Sequence, residues 1–159
     1  SPSGKTMLDV LEKAGLLKDY FEQITTPVYN GLADIVLVGR TEESMQSLTR
    51  AQRLAETKIN QVLSGLLRID GDFCMAPRVW NEETTEHFLN YEPQKNWDLF
   101  HGPIIEAMTV GKVVRPVRIP YIYPREMIAQ EEGVEMYERK RIDQLIEVTD
   151  FVREYREGN

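Results

Sequence analysis

Apolar residues near the start of the chain recur at steps of three and four, which places them on one face of a helix. Thr6 is a candidate N-cap for this helix. The helix is expected to end at Thr25 and Thr26, because Pro27 disfavours helical conformation in the residue before it. The apolar face comprises Met7, Val10, Leu11, Ala14, Leu17, Phe21 and Ile24.

A second apolar series, in the middle of the chain, predicts one long central helix that begins after Thr41 as its N-cap. Its spacing is that of a heptad seam with one polar member, Gln52. The seam has two interpretations: it packs along the core of the domain, or it pairs with a second subunit. Its members are Met45, Leu48, Gln52, Ala55, Ile59, Val62 and Leu66.

The C-terminal part of the chain is also predicted to be helical, because its apolar residues form one stripe. The charged residues 131–138 before it are interpreted as a separate short helix or as a hinge at Gly133. The stripe comprises Ile142, Leu145, Ile146, Thr149 and Val152, and it is widened by Val148, Phe151 and Tyr155.

Short apolar runs predict strands between these helices. Residues 33–38 form a nearly unbroken apolar run that Gly39 closes, which is typical of a buried strand. Asp70 and Gly71 predict a turn. Residues 73–80 follow as a strand that Pro77 confines to a sheet edge. A short helix is expected over residues 82–90, and a loop over residues 93–103.

Residues 113–123 are rich in β-branched and aromatic side chains. Prolines recur at every fourth position in and directly after this stretch, at Pro116, Pro120 and Pro124. Proline lacks the N–H group that a central strand or a helix interior requires. This stretch is therefore predicted to be an edge strand or an extended segment on the surface.

Together these elements predict an α+β fold, with helices at both termini and a long central helix packed on a small sheet of short strands. An all-α domain with an extended arm is the alternative. Residues 1–159 are expected to form one domain, in which residues 126–159 are a possible helical arm.

Composition narrows the class of protein. The net charge of −7 works against non-specific binding to nucleic acid or to anionic membranes. No apolar run approaches the length of a membrane span, so no membrane association is expected. The single cysteine, Cys74, cannot form an internal disulfide, which favours a reducing, cytoplasmic location.

Motifs that would carry chemistry are weak. Gly4, Lys5 and Thr6 lack the preceding strand and glycine of a phosphate-binding loop. Cys74 lies between Phe73 and Met75, as a buried, unreactive thiol would. Asp70 and Asp72 fit a turn better than a calcium loop. The spacing of His87 and His101 matches no metal site of helical bundles, so neither metal nor cofactor is expected.

The segment from Lys112 to Arg125, called the basic segment below, stands out in this acidic chain. It carries a charge of +4 and contains no acidic residue. Three interpretations compete: arginines and tyrosines that anchor a protein interface, a site that stacks and pairs single-stranded nucleic acid, or neutralisation of the chain's own acidic helices. Its candidate contact residues are Lys112, Arg115, Arg118, Tyr121, Tyr123 and Arg125.

The sequence thus favours a non-catalytic protein-interaction or assembly module, whose partner is an acidic protein or a second copy of the chain. An enzyme is the alternative, because active sites assemble from residues that are distant in sequence. Its site would gather His87, His101, Asp98 and Glu106 near Trp80 and Trp97. Binding of single-stranded nucleic acid is a further alternative.

Overall fold

A computed structural model describes residue 15 and residues 18–75 and 77–158, and it confirms the α+β fold. Three strands form one mixed sheet in the order β2-β1-β3. The central strand β1 (Ile35–Arg40) pairs antiparallel with β2 (Arg78–Trp80) and parallel with β3 (Val114–Ile119). Both β2 and β3 are therefore edge strands, as Pro77 and the prolines of the basic segment predict.

Helices surround this sheet and alternate with its strands along the chain. Short 3₁₀ turns at Glu82–Thr84 and Asp98–Phe100 precede the fourth and fifth helices. The sequence pattern missed the fifth helix, where a loop was predicted to run on to Pro103. The helices are α1 (Phe21–Tyr29), α2 (Glu42–Gln46), α3 (Arg50–Leu67), α4 (Thr85–Leu89), α5 (Gly102–Thr109), α6 (Arg125–Glu131) and α7 (Glu135–Gly158).

Strand β1 is buried on both faces, which explains its unbroken apolar sequence. Ile35 and Leu37 pack into a large cluster with residues of α3, α5 and α7. Val36 and Val38 point to the other face and pack with Ile24 of α1. The sheet is therefore the middle layer between two helical layers.

The strand runs further than its apolar pattern predicts, through Gly39 to Arg40. Gly39 permits a close crossing, because a Cβ atom there would lie 2.6 Å from the Cβ of Asp72. Arg40 stays in the strand although it is fully buried. Its backbone N–H and its guanidinium both donate hydrogen bonds to the carboxylate of Asp72, which supplies the partners that a buried charge requires.

The predicted long central helix is wrong in one respect, because it is two helices. Thr41 caps α2 by accepting a hydrogen bond from the backbone N–H of Ser44, as predicted. Thr49 then caps α3 by accepting one from the N–H of Gln52. This second cap starts a new helix axis after Leu48. The seam residues Ala55 and Ile59 are buried in the chain's own core, so the seam faces inward.

The first helix also differs from its prediction, because α1 continues through Pro27 to Tyr29. A proline two residues before the helix end removes only one hydrogen bond. The hydroxyl groups of Thr25 and Thr26 donate to the carbonyl groups of Phe21 and Glu22. The predicted N-cap Thr6 and the apolar positions 7–14 and 17 lie outside the described residues.

Gly133, where the sequence predicts either a hinge or a separate short helix over residues 131–138, has a φ of 71° and separates α6 from α7, so residues 131–138 are not one separate helix. The predicted apolar stripe of the last helix is right in part: Leu145, Val148, Phe151, Val152 and Tyr155 pack on the core, but three other members of the stripe are exposed. Ile142 and Ile146 are 57% and 54% exposed, whereas Gln144, Val148 and Val152 are buried. The helix is rotated so that Arg141 lies on the inner face, 3.4 Å from Glu56 and 3.6 Å from Glu131.

Strand β3 directs its main-chain hydrogen bonds toward β1 at alternate residues. The carbonyl groups of Val113 and Ile119 accept from the first and last N–H groups of this pairing, on Ile35 and Thr41. Residues of the opposite parity, including Pro116, therefore face away from β1. Pro116 is tolerated because its missing N–H lies on the free edge of the sheet.

Candidate functional site: the basic segment and its surroundings

The basic segment occupies β3 and the turn that leads into α6. Its three arginines, Arg115, Arg118 and Arg125, are exposed. On the strand, Val117 and Ile119 pack with Ile24, Val36 and Val38 in the cluster on the α1 side of the sheet (the α1-side cluster), whereas Arg118 lies on the other face, toward α3. The arginines therefore line one edge of the sheet, with Arg115 on the α1 side and Arg118 on the α3 side.

Arg118 is engaged within the chain. Its guanidinium donates hydrogen bonds to the carbonyl of Arg40 at 2.9 Å and to the Asp70 carboxylate at 3.2 Å. The Asp70 side chain is 97% exposed, so water and salt screen this ion pair strongly. Arg118 thus holds the turn after α3 against the sheet, and it also lines a groove.

The two tyrosines of the segment point inward. Tyr121 is 2% exposed and packs in the α1-side cluster. Tyr123 packs edge-on against it, with ring centroids 4.6 Å apart. The hydroxyl of Tyr123 accepts a hydrogen bond from Arg40 at 3.1 Å. The structure therefore uses both rings in its own packing, and Tyr121 offers no face to a partner.

Lys112 is half-buried at the other end of the segment, near Asp34. The carboxylate of Asp34 accepts hydrogen bonds from the N–H of Val113 and from the side-chain amide of Asn81, both at 2.8 Å. The N–H of Val113, more than the nearby charge of Lys112, lowers the pKa of Asp34. Through these hydrogen bonds Asp34 connects the starts of β1 and β3 to the residue that follows β2. Lys112 lies next to this connection, where its charge contributes to the lowered pKa of Asp34.

Arg115 and Arg125 differ from the other cations of the segment. Within the part of the chain that the structure describes, neither side chain makes a hydrogen bond or an ion pair. Large apolar side chains lie close to them in sequence: Val113 is 50% exposed and Ile122 is 48% exposed. The segment thus presents two guanidinium groups without a described partner, and a half-exposed apolar residue lies within three residues of each in sequence.

A groove of about 730 Å³ lies on the α3 side of Arg118. Its walls come from α2, α3 and the turn at Asp70 and Gly71. Cations and acids both line it, with Arg53 and Arg118 facing Glu42 and Asp70. Asn60 and Ser64 are already bonded to the chain between residues 71 and 73. The groove therefore offers no concentration of one charge to a ligand.

The largest polar feature that sequence reasoning missed is a buried cluster behind this groove, at the end of β1. Arg40 lies 2.7 Å from Asp72 and 2.8 Å from Glu56. Burial by itself lowers the pKa of Arg40, but hydrogen bonds to Asp72 and the charge of Glu56 outweigh burial and raise it. The same hydrogen bonds outweigh burial at Asp72 and lower the pKa of its carboxyl. The only sequence signal was an arginine, Arg40, two residues after the predicted apolar strand.

Cys74 lies beside this cluster, with its Sγ atom 3.6 Å from the side-chain oxygen of Asn60. Burial, followed by the negative charges of Glu56 and Asp72, raises the pKa of the thiol well above its usual value. The thiol is therefore protonated at neutral pH. This agrees with the interpretation of Cys74 as an unreactive side chain, because only the thiolate is a strong nucleophile.

The residues of the alternative enzyme site make their side-chain contacts in three places, although the charges of Asp98 and Glu106 both act on Tyr91. His87 of α4 lies 3.4 Å from Glu106 of α5. Asp98 accepts hydrogen bonds from the Tyr91 hydroxyl and from the N–H of Gln94, so it holds the loop between α4 and α5. His101 is buried edge-on against Phe151. None of the four lines the groove beside Arg118.

The protonation of His101 also argues against acid–base chemistry at neutral pH. Burial lowers its pKa to about 4, and the positive charge of Arg78 acts in the same direction, against the charge of Asp98. The two tryptophans stack on other rings. The ring centroids of Trp80 and Phe88 are 4.0 Å apart, and those of Trp97 and Phe100 are 6.1 Å apart. Among the described residues, no group of three or more metal-binding side chains comes together.

No helix in the described ranges combines the length and the apolar character that crossing a bilayer demands. Comparison of the chain with protein-family models, with curated proteins and with solved structures gives no match. The geometry of the residues themselves is therefore the basis for a functional proposal.

Proposed function

We propose that this chain is a non-catalytic protein-interaction module that docks on an acidic protein surface through the basic segment. The observation that carries the proposal is the exposure of Arg115 and Arg125 without a described hydrogen-bond or ion-pair partner. In a chain of net charge −7, carboxylates are abundant, yet none of those that the structure describes is placed against these two guanidinium groups. Arginine is enriched at the centres of protein interfaces.

Apolar surface beside the arginines supports this proposal. Val113 and Ile122 lie half-exposed near the two arginines in sequence. Protein interfaces usually combine an apolar core with a polar rim, and half-exposed apolar side chains near arginines in the chain fit this composition. Because Pro116 interrupts the free edge of β3, the partner would be recognised by side chains and not by addition of a strand.

The single-stranded nucleic-acid alternative has less support. Such sites stack bases on exposed aromatic rings. Tyr121 is buried and the Tyr123 hydroxyl is bonded to Arg40, so the segment lacks the platform that this function requires. The enzyme alternative also has less support, because its four residues do not meet in one contact and burial lowers the pKa of His101 to about 4. We also propose a reducing, cytoplasmic location, because the single cysteine, Cys74, forms no disulfide within the chain.

The test compares two charge reversals of equal size. Arg115→Glu with Arg125→Glu removes the proposed contacts. Lys58→Glu with Arg156→Glu changes the net charge equally at exposed positions of α3 and α7. The probe is a glutamate-rich peptide, titrated at low and at high NaCl and followed by fluorescence anisotropy.

We expect the wild-type protein to bind this peptide with an affinity that falls as salt rises, and the first variant to lose about tenfold or more. The control variant should change by about twofold or less, because it alters only the long-range field. Equal losses in both variants, or no binding at low salt, would contradict the proposal. Stronger binding of a single-stranded oligonucleotide than of the peptide would favour the nucleic-acid alternative.

A further inference from the structure

The outward face of α7 carries two large apolar side chains that the fold does not use. Ile142 and Ile146 lie one turn apart, and they are 57% and 54% exposed. Gln144, Val148 and Val152 occupy the opposite, buried side of the same helix. The helix therefore meets its own core without these isoleucines.

Charged residues flank the two isoleucines on the same face, within 100° of each other around the helix axis at 3.6 residues per turn. Toward the N-terminus, Glu135 and Arg139 form an exposed pair at 3.0 Å. Toward the C-terminus, Asp150 and Arg153 form another at 3.1 Å. Between residues 135 and 153 the order along this face is acid, base, two isoleucines, acid, base, while Asp143 at its flank and Glu157 beyond it add negative charge.

This order is complementary to itself when it is reversed. If two copies of α7 lie antiparallel about a two-fold axis level with residue 144, Ile142 of one faces Ile146 of the other. Glu135 then faces Arg153, and Arg139 faces Asp150 within one residue, or about 1.5 Å along the axis. In a parallel pair each of these charges would instead meet its own copy.

We propose that the outward face of α7 binds the same face of a second copy of this chain, antiparallel and with two-fold symmetry. This interface is isologous, the form that most homodimers adopt. Because of the symmetry, each contact between the copies occurs twice, so the dimer has two isoleucine contacts and four ion pairs. The surface is separate from the basic segment, so the proposal does not depend on the docking of an acidic partner.

The size of the face predicts a weak dimer. From residue 135 to residue 153 it spans about 28 Å, the length of a single helix pair. Such a contact buries less than the roughly 1,200 to 2,000 Å² of a stable interface. Asp143, at the flank, approaches its own copy and opposes pairing. The dimer is therefore in equilibrium with the monomer at micromolar or higher concentration.

Sedimentation equilibrium of the full chain over a wide range of concentrations tests this proposal. We expect a reversible monomer–dimer equilibrium in the wild-type protein. Ile142→Ser with Ile146→Ser should weaken it by about tenfold or more, because both central contacts lose buried apolar area. Leu89→Ser with Val110→Ser is the matched control, since these side chains are 75% and 62% exposed outside α7.

Charge reversal tests the antiparallel register. Glu135→Arg alone and Arg153→Glu alone should each weaken dimerisation, because each places like charges opposite one another. The double variant Glu135→Arg with Arg153→Glu should restore it. Circular dichroism checks that every variant keeps its helix content, and Arg115→Glu with Arg125→Glu should dimerise like the wild type.

A monomer at every concentration would overturn the proposal. Dimerisation that survives the isoleucine substitutions would overturn it as well, as would a double charge variant that does not recover.

Discussion

Arg40 is a fully buried arginine with carboxylates of Asp72 and Glu56 within ion-pair distance. A buried ion pair adds little to stability compared with apolar residues of the same volume, but removing one partner is costly. Asp72 also accepts hydrogen bonds from Asn60 and from the N–H of Cys74. One carboxylate therefore joins β1, α3 and the segment before β2.

We predict that Asp72→Ala destabilises the protein by about 3–5 kcal/mol, because Arg40 loses most of its hydrogen bonds while it stays buried. The measurement is urea unfolding followed by far-ultraviolet circular dichroism. Asp70→Ala is the control: it removes an exposed ion pair with Arg118 and should cost about 1 kcal/mol or less. A similar loss of stability in both variants would show that burial of the Arg40 cluster is not decisive.

His101 predicts a specific dependence of stability on pH. Its pKa falls from the ordinary value of 6.5 to about 4 in the folded chain, because the side chain is buried, so the unfolded chain takes up the proton first. The free energy of unfolding should therefore decrease as pH falls from about 6.5 toward 4. Below pH 4 the loss should level off at up to about 3 kcal/mol for this group.

Urea unfolding of the wild type and of His101→Gln across this pH range separates His101 from the carboxyl groups, whose titration both proteins share. The difference in unfolding free energy between the two should shrink as pH falls through the window. A difference that stays constant with pH would contradict the prediction.

At the scale of elements, the division of the central helix follows from one hydroxyl group. Apolar spacing continues from Met45 to Leu66, which is why the sequence predicts a single helix. The spacing reports which side of the chain is buried, and a change of helix axis preserves it. The cap at Thr49 determines where the second helix begins.

We predict that Thr49→Ala destabilises the protein by about 1 kcal/mol, because the N–H of Gln52 loses its acceptor at a buried helix start. Thermal or urea unfolding measures this change. Thr57→Ala, at an exposed position in the middle of α3, should leave stability unchanged or raise it slightly. An equally small effect at Thr49 would mean that water or another group replaces the cap.

The same elements show how far sequence alone reaches. The unbroken apolar run correctly predicted β1, the prolines predicted the edge position of β3, and Gly133 marked the break between α6 and α7, because these follow from local backbone chemistry. The orientation of α7 was predictable only in part, because the apolar spacing places Leu145, Val148 and Val152 against the core but does not show that Ile142 and Ile146 stay exposed. Arg141 lies on the inner face, where it pairs with Glu56, 85 residues away in sequence, and a hydrophobic stripe does not contain that information.

At the scale of the whole molecule, the candidate site was predictable only in part. The excess of positive charge in residues 112–125 identified an unusual segment, and Arg115, Arg118 and Arg125 are exposed there. The sequence does not show which side chains of that segment remain available to a partner, because this depends on tertiary contacts. Tyr121 packs in the α1-side cluster, Tyr123 accepts a hydrogen bond from Arg40, and Arg118 donates one to Asp70.

Pro116 has a consequence for the concentrated protein. Exposed strand edges recruit further strands, and this templated growth is how many β-containing proteins convert to fibrils. On the free side of β3, Pro116 has no N–H group to donate to a further strand, and Arg115 and Arg118 lie close to it in the strand. We therefore expect this edge to resist ordered aggregation even where dimerisation through α7 brings two sheets into one particle.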